Sequence, residues 1–164
     1  MKTLFICRHA KSDWADIGQR DFDRPLDERG HRDAPRMAKL LRGLGIAPDL
    51  LVSSPALRAR TTAQYFAAEF GIQDAAIDLQ LDIYDASEHD ILHIVHQLPD
   101  AANVVFLFGH NPTLTYFVNR FSKEIIDNLP TCGVVRLDVS VNDWASFSEK
   151  TVRNDGFWFP KMLK

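Results

Sequence analysis

The stretch Leu4-Phe5-Ile6-Cys7-Arg8-His9-Ala10-Lys11-Ser12 decides the reading of this chain. A short apolar run ends abruptly on two cationic or titratable side chains. The run from Thr3 to Cys7 predicts a buried strand, with Arg8 and His9 at its carboxyl end. Two other stretches follow the same plan. Leu50 to Ser53 predicts a second strand, followed by Ser54 and, a few residues on, Arg58. Asn103 to Phe108 predicts a third, followed by Gly109-His110-Asn111. The segments between them have helical character. From Asp27 to Leu44, Met37, Leu40, Leu41 and Leu44 recur at helical spacing and Gly45 follows as a stop. Pro55 to Phe70 predicts a helix with Pro55 in its first turn and Gly71 beyond its end. Ser87 to Leu98 and Pro112 to Phe121 predict two more, the first capped by Ser87 with Asp90 in its first turn. Gly133 to Val141 alternates apolar Val135, Leu137 and Val139 with a mostly polar face, as an edge or antiparallel strand would. Gly156-Phe157-Trp158-Phe159 fits a last strand or an aromatic plug.

This alternation predicts a three-layer α/β/α sandwich around a mostly parallel sheet, with residues 1–164 as one domain. In such sheets ligands gather beyond the carboxyl ends of the strands. Arg8, His9, Arg58 and His110 therefore converge on one edge. No acidic residue lies within the three clusters, so the pocket is cationic although the chain carries a formal net charge of −3. Arginine presents a planar fork of donors that matches phosphate oxygens. Arg58 also falls near a helix N-terminus, which favours anions. Phosphate is the ligand class these residues imply. A neutral imidazole can attack phosphorus and form a phosphoramidate. Of two histidines, one can attack while the other, protonated, stabilises the transferring oxygens.

Composition narrows the alternatives. The chain has 164 residues, 46% hydrophobic and 25% charged, which suits a folded globular protein and excludes disorder as its main state. An acidic balance argues against a nucleic-acid partner held by bulk charge. The longest apolar run, Val104 to Phe108, is far short of the ~18 residues of a membrane span. Neither a secretory leader nor a disulfide framework is expected from the N-terminus and from Cys7 and Cys132, so a cytoplasmic setting is. Cys7 alternates with Arg8 and belongs to the core. His89, His93 and His96 have helical spacing but lack the arrangement of a zinc site. They read as surface and half-buried helix residues, and neither metal nor cofactor is expected. Trp14 either lines the pocket mouth or anchors its loop by burial.

These motifs resemble those of the histidine phosphatase superfamily, the phosphoglycerate-mutase-like proteins. Leu4 to Ser12 resembles the opening strand and its Arg-His-Gly motif. Ser53-Ser54-Pro55-Ala56-Leu57-Arg58-Ala59-Arg60-Thr61-Thr62-Ala63 resembles the second motif and Gly109-His110-Asn111-Pro112 the third. Arg24-Pro25-Leu26-Asp27-Glu28-Arg29-Gly30 resembles the segment before the first helix. The short chain and the Arg-Pro-Leu form are most similar to the SixA-type phosphohistidine phosphatases. The resemblance implies that His9 is the nucleophile, that Arg8 and Arg58 hold the phosphoryl oxygens, and that His110 is the second phosphate-pocket histidine. It offers Arg24 as a further anion contact at the rim. Ala10 stands where the motif commonly has Gly. Asp27 replaces a usual Thr and serves as a helix cap.

Larger members of the family place a carboxylic acid after the second helix. The resemblance makes Asp82 the first candidate for it here and Asp85 the second. An ill-defined acid favours phosphohistidine over a sugar phosphate, because imidazole can leave as a neutral ring whereas an alkoxide needs a proton. The expected activity is removal of phosphate from phosphohistidine in a partner protein through phospho-His9. The alternatives are a phosphatase or mutase for small phosphorylated metabolites, or a phosphate- or phosphoprotein-binding module without turnover.

Overall fold

The structure, a computed structural model, describes residues 1–14, 16 and 18–163. Six strands form one sheet: β1 (Lys2–Arg8), β2 (Leu50–Ser53), β3 (Asp78–Leu79), β4 (Val104–Gly109), β5 (Val134–Val139) and β6 (Val152–Trp158). Their spatial order is β3-β2-β4-β1-β5-β6. The pairings β3–β2, β2–β4 and β4–β1 are parallel, whereas β1–β5 and β5–β6 are antiparallel. Four α-helices cover the faces: α1 (Glu28–Gly43), α2 (Leu57–Phe70), α3 (Glu88–His96) and α4 (Thr113–Phe121).

The period of two along β1 divides the core between the faces. Phe5 and Cys7 pack with Met37, Leu41 and Phe66 of α1 and α2. Leu4 and Ile6 pack with Ile91, Leu114 and Phe117 of α3 and α4. The result is the expected three-layer α/β/α sandwich with a mostly parallel sheet.

Several boundaries differ from the expectation, for local reasons. Helix α2 begins at Leu57 rather than Pro55, and its N-cap, Ala56, has extended backbone at ψ 137°. Ser54 Oγ accepts the Ala56 N–H across the intervening proline, so that turn is closed before the helix starts. Helix α3 spans Glu88–His96, with Ser87 and Asp90 forming a reciprocal capping box. Strand β5 lies inside the sheet, not at its edge. Its polar side chains are partnered there: Thr3 Oγ1 donates to Asp138, and the Arg136 guanidinium lies over the Phe5 ring. The Gly156-Phe157-Trp158 segment pairs with β5, so it is strand. The two-residue strand β3 has no apolar pattern of its own.

The segment from Arg24 to Gly30 is fixed against the first motif loop. Asp27 caps α1 by accepting the Gly30 N–H at 2.8 Å, while its own N–H donates to the Lys11 carbonyl at 3.0 Å. A Cβ on Gly30 would stand 2.2 Å from that same carbonyl oxygen. The glycine is therefore demanded by close approach of the loop that carries Lys11.

Candidate active site

The parallel register brings the three strand ends level. Arg8 pairs with Gly109, and Ser53 pairs with Phe108. Main-chain hydrogen bonds carry the alignment one residue past the strands. The His9 N–H donates to the Gly109 carbonyl, and the Ser54 N–H donates to the Phe108 carbonyl. On the other side the Cys132 N–H donates to the His9 carbonyl. Arg58 enters from the first turn of α2. The walls of one cleft of about 550 Å³ then contain Arg8, His9, Arg24, Arg58 and His110 together.

His9 is 6% exposed. Its Nδ1 lies 2.7 Å from the Ala10 carbonyl oxygen. A carbonyl only accepts, so the neutral ring carries its hydrogen on Nδ1 and leaves a lone pair on Nε2. The His9 and His110 rings are 5.4 Å apart between centroids. Burial pushes His9 down to about 3, and the nearby His110, Arg58 and Arg8 add to the effect. Burial, reinforced first by Arg58, likewise pushes His110 down to about 3. Both rings are therefore neutral near pH 7 in the free protein, and His9 needs no base to expose its lone pair.

Arg8 Nη1 donates to the Leu129 carbonyl at 2.9 Å. Arg8 Nε, Arg58 Nε and His110 Nδ1 are buried and have no hydrogen-bond partner among the described residues. Leaving a buried donor unpaired costs on the order of 1–3 kcal/mol. Oxygens of a bound anion would satisfy such donors.

Arg24, expected as an anion contact, is buried at the rim and anchored on several sides. Nη1 donates to Ser12 Oγ at 2.8 Å, Nε donates to Asp21 at 3.0 Å, and its guanidinium stacks 3.4 Å from the centroid of Trp14. Trp14 itself is 68% exposed, so of the two expectations for it the pocket mouth is where it stands. Asp85 lines the cleft, while Asp82 does not. Asp82 sits on the 3-10 turn Leu81–Ile83 and faces an adjacent hollow shared with Asp90 and His93. The order of the two carboxylates is thus reversed in space. Asp85 has φ +57°, a left-handed conformation, and its neighbours Tyr84 and Ala86 also line the cleft.

The most consequential group absent from the sequence expectations is Asp21. It receives Arg58 Nη2 at 3.0 Å and the Tyr84 hydroxyl at 2.7 Å on Oδ2, and Arg24 on Oδ1; its carbonyl receives Arg58 Nη1 at 2.7 Å. Burial pushes the Asp21 carboxyl up, but the hydrogen bonds from Tyr84, Arg58 and Arg24 outweigh it and hold it at about 2. It is a fixed anion that orients Arg58, not a proton donor. Tyr84 stands edge-on to His110 at 5.6 Å. Its hydrogen bond to Asp21, with burial, raises its phenol, which stays protonated. Asp21 opens a three-residue 3-10 turn, Asp21–Asp23, too short to carry an apolar period. Its only sequence signal is the three-residue spacing to Arg24.

Elsewhere the thiol of Cys7 is buried in the core and pushed well up by that burial. His96 Nε2 lies 2.8 Å from the Phe147 carbonyl oxygen. Among the described residues no group of three or more His, Cys, Asp or Glu is arranged to hold a metal ion, and no helix is long and apolar enough to cross a membrane.

The two buried histidines fix a direction for acid sensitivity. In the unfolded chain an imidazole titrates near ~6.5. Between that value and about 3 the unfolded chain binds protons that the folded rings refuse, so stability falls as pH falls through this window. The expected outcome is a melting temperature that declines from pH 7 to pH 4, with a shallower decline in His110→Gln. Equal slopes in the two proteins would contradict the burial of a neutral His110.

Comparison with known proteins adds an independent line. The profile of the histidine phosphatase superfamily (branch 1) matches residues 4–86. An uncharacterized chloroplastic protein of Arabidopsis thaliana is 31% identical over 152 residues, covering 87% of this chain and 69% of that protein. An uncharacterized protein of Mycobacterium tuberculosis is 30% identical over 164 residues, covering 94% of this chain and 99% of its own length. Among solved structures, a protein assigned as the phosphohistidine phosphatase SixA of Agrobacterium tumefaciens superposes with a TM-score of 0.76 at 34% identity, covering 84% of this chain and 90% of that one. The protein histidine phosphatase SixA in complex with tungstate superposes with a TM-score of 0.79 over 99% of both chains; at 20% identity it speaks to the fold alone.

Proposed function

The chain belongs to the histidine phosphatase superfamily and is a histidine phosphatase, and on that premise we propose that it removes phosphate from phosphohistidine in a partner protein through a phosphorylated His9. The observation that carries the reading is the commitment of His9 Nδ1 to the Ala10 carbonyl, which leaves Nε2 as the free nucleophilic atom in a cleft lined by the guanidinium groups of Arg8, Arg24 and Arg58.

In the first step the Nε2 lone pair of His9 attacks phosphorus. A new N–P bond forms while the bond from phosphorus to the leaving atom breaks and its electron pair goes to the leaving group. Arg8, Arg58 and His110 hold the equatorial oxygens, where charge concentrates. In the second step water attacks the phosphoryl group on His9. The N–P bond breaks, its electron pair returns to Nε2, and the proton lost by water goes to phosphate or solvent.

The preference for a phosphoramidate rests on the proton ledger at the leaving side. Asp21, held at about 2, is ionised near neutrality and cannot protonate an alkoxide. A phosphohistidine whose second nitrogen carries a proton departs as neutral imidazole and asks less of the enzyme. The exposed Trp14 and Asp85 at the rim suit a side chain presented on a macromolecular surface. We assign Asp85 the nearer and Asp82 the more distant position on the leaving side, and Arg24 the anchoring of the rim.

The test is turnover of a phosphohistidine-bearing protein against a panel of sugar phosphates and aryl phosphate. The expected result is a kcat/KM at least about tenfold higher for the phosphohistidine protein, equivalent to about 1.4 kcal/mol of transition-state discrimination. Equal or faster turnover of sugar phosphates would overturn the substrate assignment.

A further inference from the structure

Ser54 is completely buried, yet its hydroxyl touches the catalytic cleft through a single side chain. Its Oγ accepts the Ala56 N–H at 3.2 Å and lies 2.8 Å from His110 Nε2. The neighbouring Ser53 is equally buried but spends its hydroxyl on the Ser54 carbonyl at 2.8 Å. A hydroxyl has one hydrogen to give. On Ser54 the Ala56 N–H takes one lone pair, and among the described residues His110 Nε2 is the one partner placed to receive the hydrogen.

From this arrangement we infer that Ser54 is a positioning residue that sets the tautomer of His110: its O–H donates to Nε2, so the neutral ring carries its hydrogen on Nδ1. That nitrogen is the buried one with no partner among the described residues. The relay from the Ala56 N–H through Ser54 to His110 thus presents an N–H donor to the phosphoryl oxygens without requiring His110 to be charged beforehand. This matters because burial keeps both cleft histidines neutral, and a neutral ring in the opposite tautomer would offer the oxygens a lone pair and repel them. The two histidines then have the same tautomer for different ends. His9 is held by the Ala10 carbonyl so that its Nε2 is a nucleophile, and His110 is held by a hydroxyl so that its Nδ1 is a donor. The catalytic value of this donor rests on the phosphatase reading given above, but the tautomer itself does not.

Nitrogen-15 resonances of labelled histidine distinguish the tautomers directly in the free protein, with His110→Gln identifying the His110 signals. The expected spectrum shows His110 with hydrogen on Nδ1 in the wild-type protein and a mixture of tautomers in Ser54→Ala. In turnover, Ser54→Ala is expected to lower kcat by about tenfold or more with KM little changed, because a donor to developing charge acts mainly in the transition state. Ser54→Thr, which keeps a hydroxyl, is expected to restore the Nδ1–H tautomer. An Nε2–H tautomer in the wild-type protein, or an unchanged His110 tautomer in Ser54→Ala, would overturn the inference. If the protein hydrolysed no phosphorylated substrate while the tautomer remained dependent on Ser54, the phosphatase reading would fall and the tautomer assignment would stand. Unchanged kcat in Ser54→Ala, with wild-type turnover intact, would remove the catalytic role and leave the phosphatase reading in place.

Discussion

His9→Ala is expected to lose turnover by at least ~10³-fold and to form no phosphoenzyme, the largest effect of any single substitution in this chain. The reason is chemical rather than electrostatic. In the proposed mechanism the ring supplies the atom that bonds to phosphorus, and no neighbour among the described residues stands in the same geometry. His110 is 5.4 Å away between ring centroids, and its Nε2 is engaged with Ser54. Cys7, the adjacent thiol on the strand, points into the core on the α1–α2 side and is held protonated by burial. The measurement is a brief reaction with radiolabelled phosphohistidine protein followed by acid and alkaline treatment. Label on the wild-type enzyme should be lost in acid and survive alkali, as a phosphoramidate does. Label persisting on His9→Ala with the same lability would refute His9 as the acceptor. The substitution should leave the strand pairing intact, because the hydrogen bonds that align residue 9 with Gly109 and Cys132 come from its main chain.

The sequence made the framework of this site readable because the framework depends on short-range patterns. The apolar runs ending at Arg8, Ser53 and Gly109 are period-two signals, and parallel pairing then forces their ends to one edge. Asp27 and Ser87 are caps recognisable from residue type alone. The parts that stayed hidden depend on irregular backbone. Asp21 reaches Arg58 across 37 positions through a turn that carries no period, and Tyr84 arrives from a 3-10 turn of three residues. Asp85, which lines the cleft, has a left-handed backbone, and a left-handed Asp cannot be told from an extended one in the sequence. The hidden residues also change the electrostatics. The cleft read as purely cationic from its motifs, but it contains one fixed carboxylate bound to two of its arginines.

That carboxylate gives Arg58 two separable duties, and Arg58→Lys separates them. The guanidinium spends Nη1 and Nη2 on the carbonyl and carboxylate of Asp21 and leaves Nε buried without a partner among the described residues. A lysine keeps the charge but has no planar fork, so it cannot hold the Asp21 turn and face a phosphoryl oxygen at once. The expected loss in kcat/KM is on the order of 10²–10³-fold, the cost of one preorganised donor to a developing oxyanion. If Arg58 served only to anchor the turn, Asp21→Asn would cost as much as Arg58→Lys. It should cost far less, because Asp21→Asn weakens the charged anchor yet leaves Arg58 and its unpartnered Nε in place for a phosphoryl oxygen. The steady-state constants of the two variants with one phosphohistidine substrate decide the matter. A deficit in Arg58→Lys confined to KM would mean that the fork binds ground state and transition state alike. A deficit in kcat as well would mean that it strengthens as charge builds on the transferring group, which is the expected result.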